Sequence, residues 1–152
     1  MRNVYIGFGS NRGDRKKNIL SALKLLALNK QKIIKISSLY ETEPYGYKKQ
    51  KNFLNGVAVL KTAMPPEELL NLLKRIEKEA GRRRSFRWGP REVDLDILFY
   101  GYKVYKSKTL SIPHADLHNR KFVLLPLNEI APGFIHPVIK KSVSVILKNL
   151  SG

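Results

Sequence analysis

In the stretch RWGPREVDLDILFYG, residues 87–101, one leucine separates two aspartates, Asp94 and Asp96, inside an apolar run. Successive side chains of an extended chain point to opposite faces. Asp94 and Asp96 therefore share one face, and Val93, Leu95 and Ile97 share the other. The two β-carbons then lie roughly 7 Å apart, within reach of a common cation. Carboxylates this close repel one another and raise at least one pKa unless positive charge is shared between them. Magnesium is commonly held by one or two carboxylates together with water and substrate phosphates. An edge strand whose acids face solvent or pair with nearby arginines fits the same spacing, and that alternative stays open at this point. Arg82, Arg83, Arg84, Arg87 and Arg91 precede the pair, five guanidinium groups within ten residues. They repel one another unless an anion is shared among them, and their forked donors suit phosphate. Carboxylates for a hard cation beside forks for phosphate are the equipment of phosphoryl transfer, where catalysis is mostly positioning and charge neutralisation. The chain has no G-x-x-x-x-G-K-[ST], and its GFGSNRG lacks the βαβ context of a dinucleotide fingerprint. A P-loop kinase and a Rossmann enzyme are thereby excluded.

The elements that must position these residues follow from periodicity and turn chemistry. NVYIGFGSN (3–11) alternates as a strand and ends in a turn. Asp14 caps a helix through NILSALKLLALN, where Ile19, Leu20, Leu23, Leu26 and Ala27 recur at helical spacing. Residues 31–42 read as a strand ending near Pro44, 45–51 as a lysine-rich loop, and 52–63 as a strand paired in hairpin fashion. Pro66 opens an amphipathic helix with Leu69, Leu70, Leu73, Ile76 and Ala80 on one face and Gly81 as its stop. A strand at 93–100, a turn at Gly101 and a return strand near 103–105 come next. Residues 120–132 read as a short buried helix broken at Pro126, and 141–150 as a helix or a strand, which periodicity does not decide. The order β-α-β-β-α-β predicts an α+β fold of ferredoxin-like type, an antiparallel sheet with two helices on one face. No repeat or linker interrupts it, so residues 1–152 are expected to form one domain.

Composition bounds the partners. The chain holds 29 Lys+Arg against 12 Asp+Glu, a formal charge of +17. A field of that sign attracts polyanions, although surface lysines also serve simply as solvated groups. Cysteine is absent, which removes thiolate metal and redox chemistry and fits a reducing compartment. No apolar run approaches the ~20 residues of a membrane span, and the N-terminus reads directly into a strand. A soluble, cytoplasmic protein without membrane attachment is expected.

RWGPREVDLDIL (87–98) resembles the signature of the 6-hydroxymethyl-7,8-dihydropterin pyrophosphokinase family of folate biosynthesis. YIGFGSN, SSLYETEPYG, FLNGVAVLKT, PPEELLNLLKRIEKEAGR and IPHADLHNRKFVLLPLNEIAP are similar to further family segments in the same order. The resemblance implies transfer of an intact pyrophosphoryl group from ATP to the pterin's hydroxymethyl oxygen, with AMP leaving. It implies that Asp94 and Asp96 hold two Mg²⁺ ions and that Arg82 and Arg91 contact the substrates and support transfer. Arg84, Arg87 and Trp88 match other positions of the mobile arginine loop. Glu77, Ile97, Ser111, His114 and Arg120 match nucleotide-side positions. Phe53 and Phe122 match the aromatics that sandwich the pterin ring, and Asn55 the amide that bonds its edge. Thr42, Pro44 and Tyr45 fall where the family's loop completes that recognition. Taken alone, Phe53, Phe122 and His114 read more readily as core residues than as ligand contacts, whereas an amide inside an apolar strand needs partners. Thr109 and Ala115 stand where some members carry Arg and Tyr, which implies altered ATP affinity.

Two rival readings share parts of this pattern. An RNA-recognition module has the same element order and suits the charge, but the chain has no RNP-type aromatic segment, so no nucleic-acid partner is expected. A palm-type nucleotidyltransferase also uses paired aspartates, but it needs a further carboxylate near the pair, and Glu92 precedes the strand expected at 93–100. Closure of the 45–51 and 82–91 loops over ATP and pterin, and a monomeric state, complete the expectations.

Overall fold

Burial of every residue from Ile6 to Ser10 makes β1 (Arg2–Ser10) a central strand, with Val4, Ile6 and Phe8 packed on one side and Tyr5 on the other. The computed structural model describes every residue except 45–46, 82–84, 87–88 and 152. β1 pairs antiparallel with β4 (Phe53–Thr62) on one side and with β5 (Asp94–Tyr100) on the other. β2 (Lys32–Ile36) and β3 (Tyr40–Thr42) both pair with β4, so the order is β2-β4-β1-β5 with β3 beside β4. That order is compatible with the expected split βαβ pattern.

The strand expected over 31–42 is divided. At the break, Ser37 Oγ accepts the N–H of Val57 at 2.9 Å and donates to the carbonyl of Ser38 at 2.8 Å. A hydroxyl thus takes over a ladder bond, a competition with the sheet that short polar side chains commonly win.

α1 (Arg15–Leu28) starts as predicted, with Asp14 Oδ1 accepting the N–H of Lys17 at 3.1 Å. α2 (Pro66–Glu79) has Pro66 in its first turn and is followed by Gly81 at φ +99°, a conformation that favours glycine. Ile19 and Leu26 of α1 and Leu69, Leu73 and Ile76 of α2 pack on Val4, Ile6, Leu60, Leu95 and Ile97 of the sheet. Full burial of each such side chain contributes about 1.5–3 kcal/mol.

Helices cover the other face as well, a correction to the expected two-layer arrangement. α3 (Lys121–Ile130) and α4 (Val143–Ser151) bring Leu124, Leu127 and Ile146 onto Val57, Val59, Leu98 and Phe99. The cause lies in β4, where Val57, Ala58, Val59 and Leu60 are all buried, so both faces need a partner layer. α3 runs on through Pro126 instead of breaking there. The ring costs a helix one backbone hydrogen bond, and burial of Leu124, Leu127 and Ile130 offsets it. The segment left undecided at 141–150 is a helix.

Opposite the Tyr5–Ile6 step, β5 carries Leu98 as an extra residue. This bulge turns Leu98 and Phe99 to the second face and returns Tyr100 to the first core. The return strand expected near 103–105 does not pair back onto β5. β6 (Tyr105–Lys106) pairs with β7 (Ser111–Ile112) in a separate ribbon whose hydroxyls bond to α2. Among the described residues, no helix is long and apolar enough to cross a membrane.

Candidate active site

Strand alternation brings Phe53 and Asn55 of β4, Gly7 and Gly9 of β1, and Asp94 and Asp96 of β5 to one face, near the start of α3. In register, Gly9 lies between Asn55 and Asp94, and Gly7 between Val57 and Asp96. A Cβ at Gly9 would meet Asn55 Oδ1 at 2.5 Å, so glycine there keeps the amide and the floor of the cleft in place. Asn55 is 7% exposed, and its Nδ2 donates to Thr42 Oγ1 of β3, which turns the amide along the sheet.

A cavity of about 320 Å³ opens over this face, lined among others by Thr42, Phe53, Asn55, Arg91, Arg120 and Phe122. A second, of about 300 Å³, lies on the α2 side of β5, where Leu70, Lys74, Glu77, Ile97 and Ser111 form much of its wall. Asp94, Asp96 and His114 line both. The aspartates therefore stand on the boundary between two cavities of ligand size. Their side chains point together as predicted, with Leu95 and Ile97 buried in the opposite core. β5 begins at Asp94, so Glu92 is outside the strand; it pairs with Arg12 at 3.3 Å.

Glu77, 7% exposed, accepts the backbone N–H of Leu95 on its Oε2 at 2.8 Å. β5 is an edge strand, and this bond satisfies an outward donor at the residue between the aspartates. The N–H of His114 donates to the carbonyl of Leu98 at 3.0 Å, which lays the 113–114 segment along the same edge. His114 Nδ1 accepts the N–H of Asp116 at 3.3 Å, so the proton of the neutral ring sits on Nε2. Burial, with the Arg120 guanidinium adding to it, lowers the His114 pKa to about 4. At neutral pH His114 is thus a donor without charge. Arg120 lies 5.7 Å from the centroid of the Phe122 ring and 3.4 Å from Asp116 Oδ2.

Arg91 is half-buried, and its Nη1 donates to the carbonyls of Gly89 and Pro90 at 3.0 and 3.1 Å. Its backbone exchanges two bonds with Asn11: Arg91 N to Asn11 Oδ1 at 2.8 Å, and Asn11 N to Arg91 O at 3.0 Å. Asn11 Nδ2 also donates to Gln50 Oε1 and to the carbonyl of Lys51, both at 2.9 Å. One side chain, 2% exposed, thus joins the ends of both expected lid loops. Farther along the same loops, Tyr47 and Phe86 meet edge to face, with centroids 5.1 Å apart.

Of the predicted site residues, Tyr45, Arg82, Arg84, Arg87 and Trp88 lie outside the described residues. Pro44 is buried and does not line either cavity; its carbonyl accepts Lys48 Nζ at 2.8 Å. Sequence reasoning missed Asn11, Gly7, Gly9, Glu43 and Lys74. The two glycines in an otherwise apolar strand were the one available signal, since glycine in a strand often marks a close approach.

Among the described residues, no group of three or more His, Asp or Glu side chains converges as a metal cage. Two half-buried carboxylates facing cavities with room for water and phosphate are the donor set that Mg²⁺ takes, since it completes its shell from substrate and solvent. Asp94 and Asp96 fit that ion.

A family model described as 7,8-dihydro-6-hydroxymethylpterin-pyrophosphokinase (HPPK) matches residues 5–132. A 2-amino-4-hydroxy-6-hydroxymethyldihydropteridine pyrophosphokinase of Aquifex aeolicus is 48% identical over 141 residues, which is 93% of this chain and 88% of that protein. The enzyme of the same name from Bacillus subtilis is 46% identical over 132 residues, 86% of this chain and 79% of that protein. A folic acid synthesis protein of Dictyostelium discoideum is 43% identical over 97% of this chain, which spans 22% of that longer protein. Among solved structures, the Plasmodium falciparum HPPK-DHPS wild type with pteroate superposes with TM-score 0.79 at 18% identity. That match covers 97% of this chain and 42% of that one, and its likeness is one of fold.

Proposed function

From membership of the 7,8-dihydro-6-hydroxymethylpterin-pyrophosphokinase family, to which this chain belongs, we propose that it transfers pyrophosphate from ATP to 6-hydroxymethyl-7,8-dihydropterin in folate synthesis. The hydroxymethyl oxygen loses its proton to solvent and bonds to the β-phosphorus; the bond from that phosphorus to the α-phosphate's bridging oxygen breaks, and AMP leaves with that oxygen. One observation carries the reading: the two cavities share Asp94, Asp96 and His114. A pterin in the first and a nucleotide in the second meet at that boundary, as in-line transfer requires.

In the first cavity Phe53 and Phe122 supply the faces for a flat ring, and Asn55, oriented by Thr42, supplies donor and acceptor for its edge. The backbone at Pro44 and Tyr45 completes this recognition. In the second, Glu77, Ile97 and Ser111 form the nucleotide wall. His114 donates from Nε2 to a phosphate oxygen, and Arg120 and Arg91 place positive charge where the transferred group passes. Arg82, Arg84, Arg87 and Trp88 belong to the loop that closes over the triphosphate. Asp94 and Asp96 would hold two Mg²⁺ ions, which when bound neutralise the triphosphate and acidify the attacking hydroxyl. We read the enzyme as a cytoplasmic monomer of one domain, with no nucleic-acid or membrane partner.

The test is product identity. The purified chain with ATP, Mg²⁺ and the hydroxymethyl dihydropterin yields AMP and the pterin diphosphate in equal amounts. ADP as the sole nucleotide product, or ATP consumption independent of the pterin, refutes the reading.

A further inference from the structure

Glu67, in the first turn of α2, lines neither cavity, yet its carboxylate collects three hydroxyl donors from one short segment. Tyr105 and Ser107 donate to Oε2 at 2.8 and 2.7 Å, and Thr109 donates to Oε1 at 2.7 Å. The segment is a tight turn in its own right: Ser107 N–H donates to the carbonyl of Leu110 at 2.8 Å, and Thr109 N–H to Ser107 Oγ at 3.3 Å. Hydrogen bonds to an ionised carboxylate are the stronger kind, and these hold the Glu67 pKa below its ordinary value. A solvated surface acid has no need of three fixed partners.

The position of Glu67 on α2 supplies the second half of the case. Glu67, Leu70, Lys74 and Glu77 follow at three, four and three residues, so they form one stripe along the helix. The middle pair, Leu70 and Lys74, line the second cavity. Glu77 at one end of the stripe is bonded to β5 through Leu95, and Glu67 at the other is bonded to the turn that carries Thr109 and Leu110. Ile97 on β5 and Leu110 on the turn both line that cavity. Two carboxylates thus fix two walls of one cleft to the helix that forms its third.

We propose that Glu67 is a positioning residue for nucleotide binding, fixing the 105–110 turn to α2 and so setting the width of the second cavity. The inference rests on reading that cavity as the nucleotide's. Glu67 touches no substrate, so its loss acts on ATP affinity and leaves the pterin side and the transfer step alone.

Binding of a non-hydrolysable ATP analogue with Mg²⁺, measured calorimetrically on the full chain, tests this beside steady-state kinetics. Glu67→Ala weakens analogue binding and raises the KM for ATP by about tenfold or more, while kcat and the pterin KM stay within about twofold. Glu67→Gln, which keeps one acceptor oxygen without the charge, falls between. Tyr105→Phe with Ser107→Ala, at two residues that line neither cavity, reproduces the effect and adds little to Glu67→Ala, because they break the same contacts. If Glu67→Ala does not fold, Glu67→Gln and the Tyr105/Ser107 double variant carry the test. Unchanged analogue affinity in folded variants, or an equal rise in both KM values, overturns the proposal. Leu70→Trp, which fills the cavity, separates this from the underlying reading. If it impairs analogue binding while the Glu67 variants do not, only the positioning role falls; if it leaves binding intact, the nucleotide does not use this cavity and both fall.

Discussion

The carboxylate of Glu77 holds the backbone N–H of Leu95 at 2.8 Å, so a helix side chain is fixed to the residue that separates Asp94 from Asp96. The geometry of the carboxylate pair therefore depends on α2 as well as on the strand. Loss of a charged acceptor from a buried donor costs about 1–3 kcal/mol. Glu77→Leu is expected to lower stability by that amount and kcat by about tenfold or more, whereas Glu77→Gln retains an acceptor and most of the stability. Chemical denaturation and initial rates, compared for the two variants, check the order.

On the proposed assignment, the charge of either aspartate matters most when the pyrophosphoryl group is in transit. Asp94→Asn and Asp96→Asn are each expected to lower kcat by about a thousandfold or more. Circular dichroism should show an intact fold in both, and rates measured across a Mg²⁺ titration show whether excess metal restores any activity.

Gly9 is predicted to tolerate no side chain at full activity. The methyl of Gly9→Ala would sit 2.5 Å from Asn55 Oδ1 and must push the amide off the bond that Thr42 accepts. A raised pterin KM, by about tenfold, with a near-normal ATP KM is the expected signature. An equal change in both values counts against assigning the two substrates to separate cavities.

Asn11 joins Gln50 and Lys51 to Arg91, and Tyr47 and Phe86 touch farther out. Asn11→Ala leaves the Arg91 N–H without its side-chain acceptor and releases the lysine-rich loop from the end of β1. Hydrogen exchange at 47–52 and 89–92 is expected to speed up in the variant, and kcat/KM to fall by about tenfold to a hundredfold. In the native enzyme, Mg²⁺, an ATP analogue and pterin together are expected to slow exchange in both loops.

Stability is expected to fall on mild acidification because two histidines are kept neutral. His136, 4% exposed, accepts the N–H groups of Val138 and Ile139 on Nδ1 at 3.1 Å, and burial lowers its pKa. Protonation of Nδ1 would break both bonds. His114 is lowered to about 4, mainly by burial. Below the ordinary histidine value of about 6.5 the unfolded chain binds protons that the folded chain refuses. Their contribution is therefore complete above about pH 6.5 and declines as the pH falls towards the folded values. Melting temperatures across this range should drop less steeply in His136→Asn than in the native chain.

Much of this protein was legible in its residues. A period of two put Asp94 and Asp96 on one face, and helical spacing with Asp14 and Pro66 located α1 and α2. These signals are local: each depends on neighbours within a few positions, which the chain order already supplies. Tertiary structure decided the rest. The opposite face of the sheet received α3 and α4 because β4 is buried on both sides, and no local period announces which layer fills that need. Asn11 and Glu77 became structural hubs through bonds to residues 80 and 18 positions away. That a cavity lies on either side of the aspartates follows from β5 being an edge strand with α2 and the 105–112 ribbon beyond it. Side-chain spacing determines which residues can act together along one element; packing between distant elements determines what faces them.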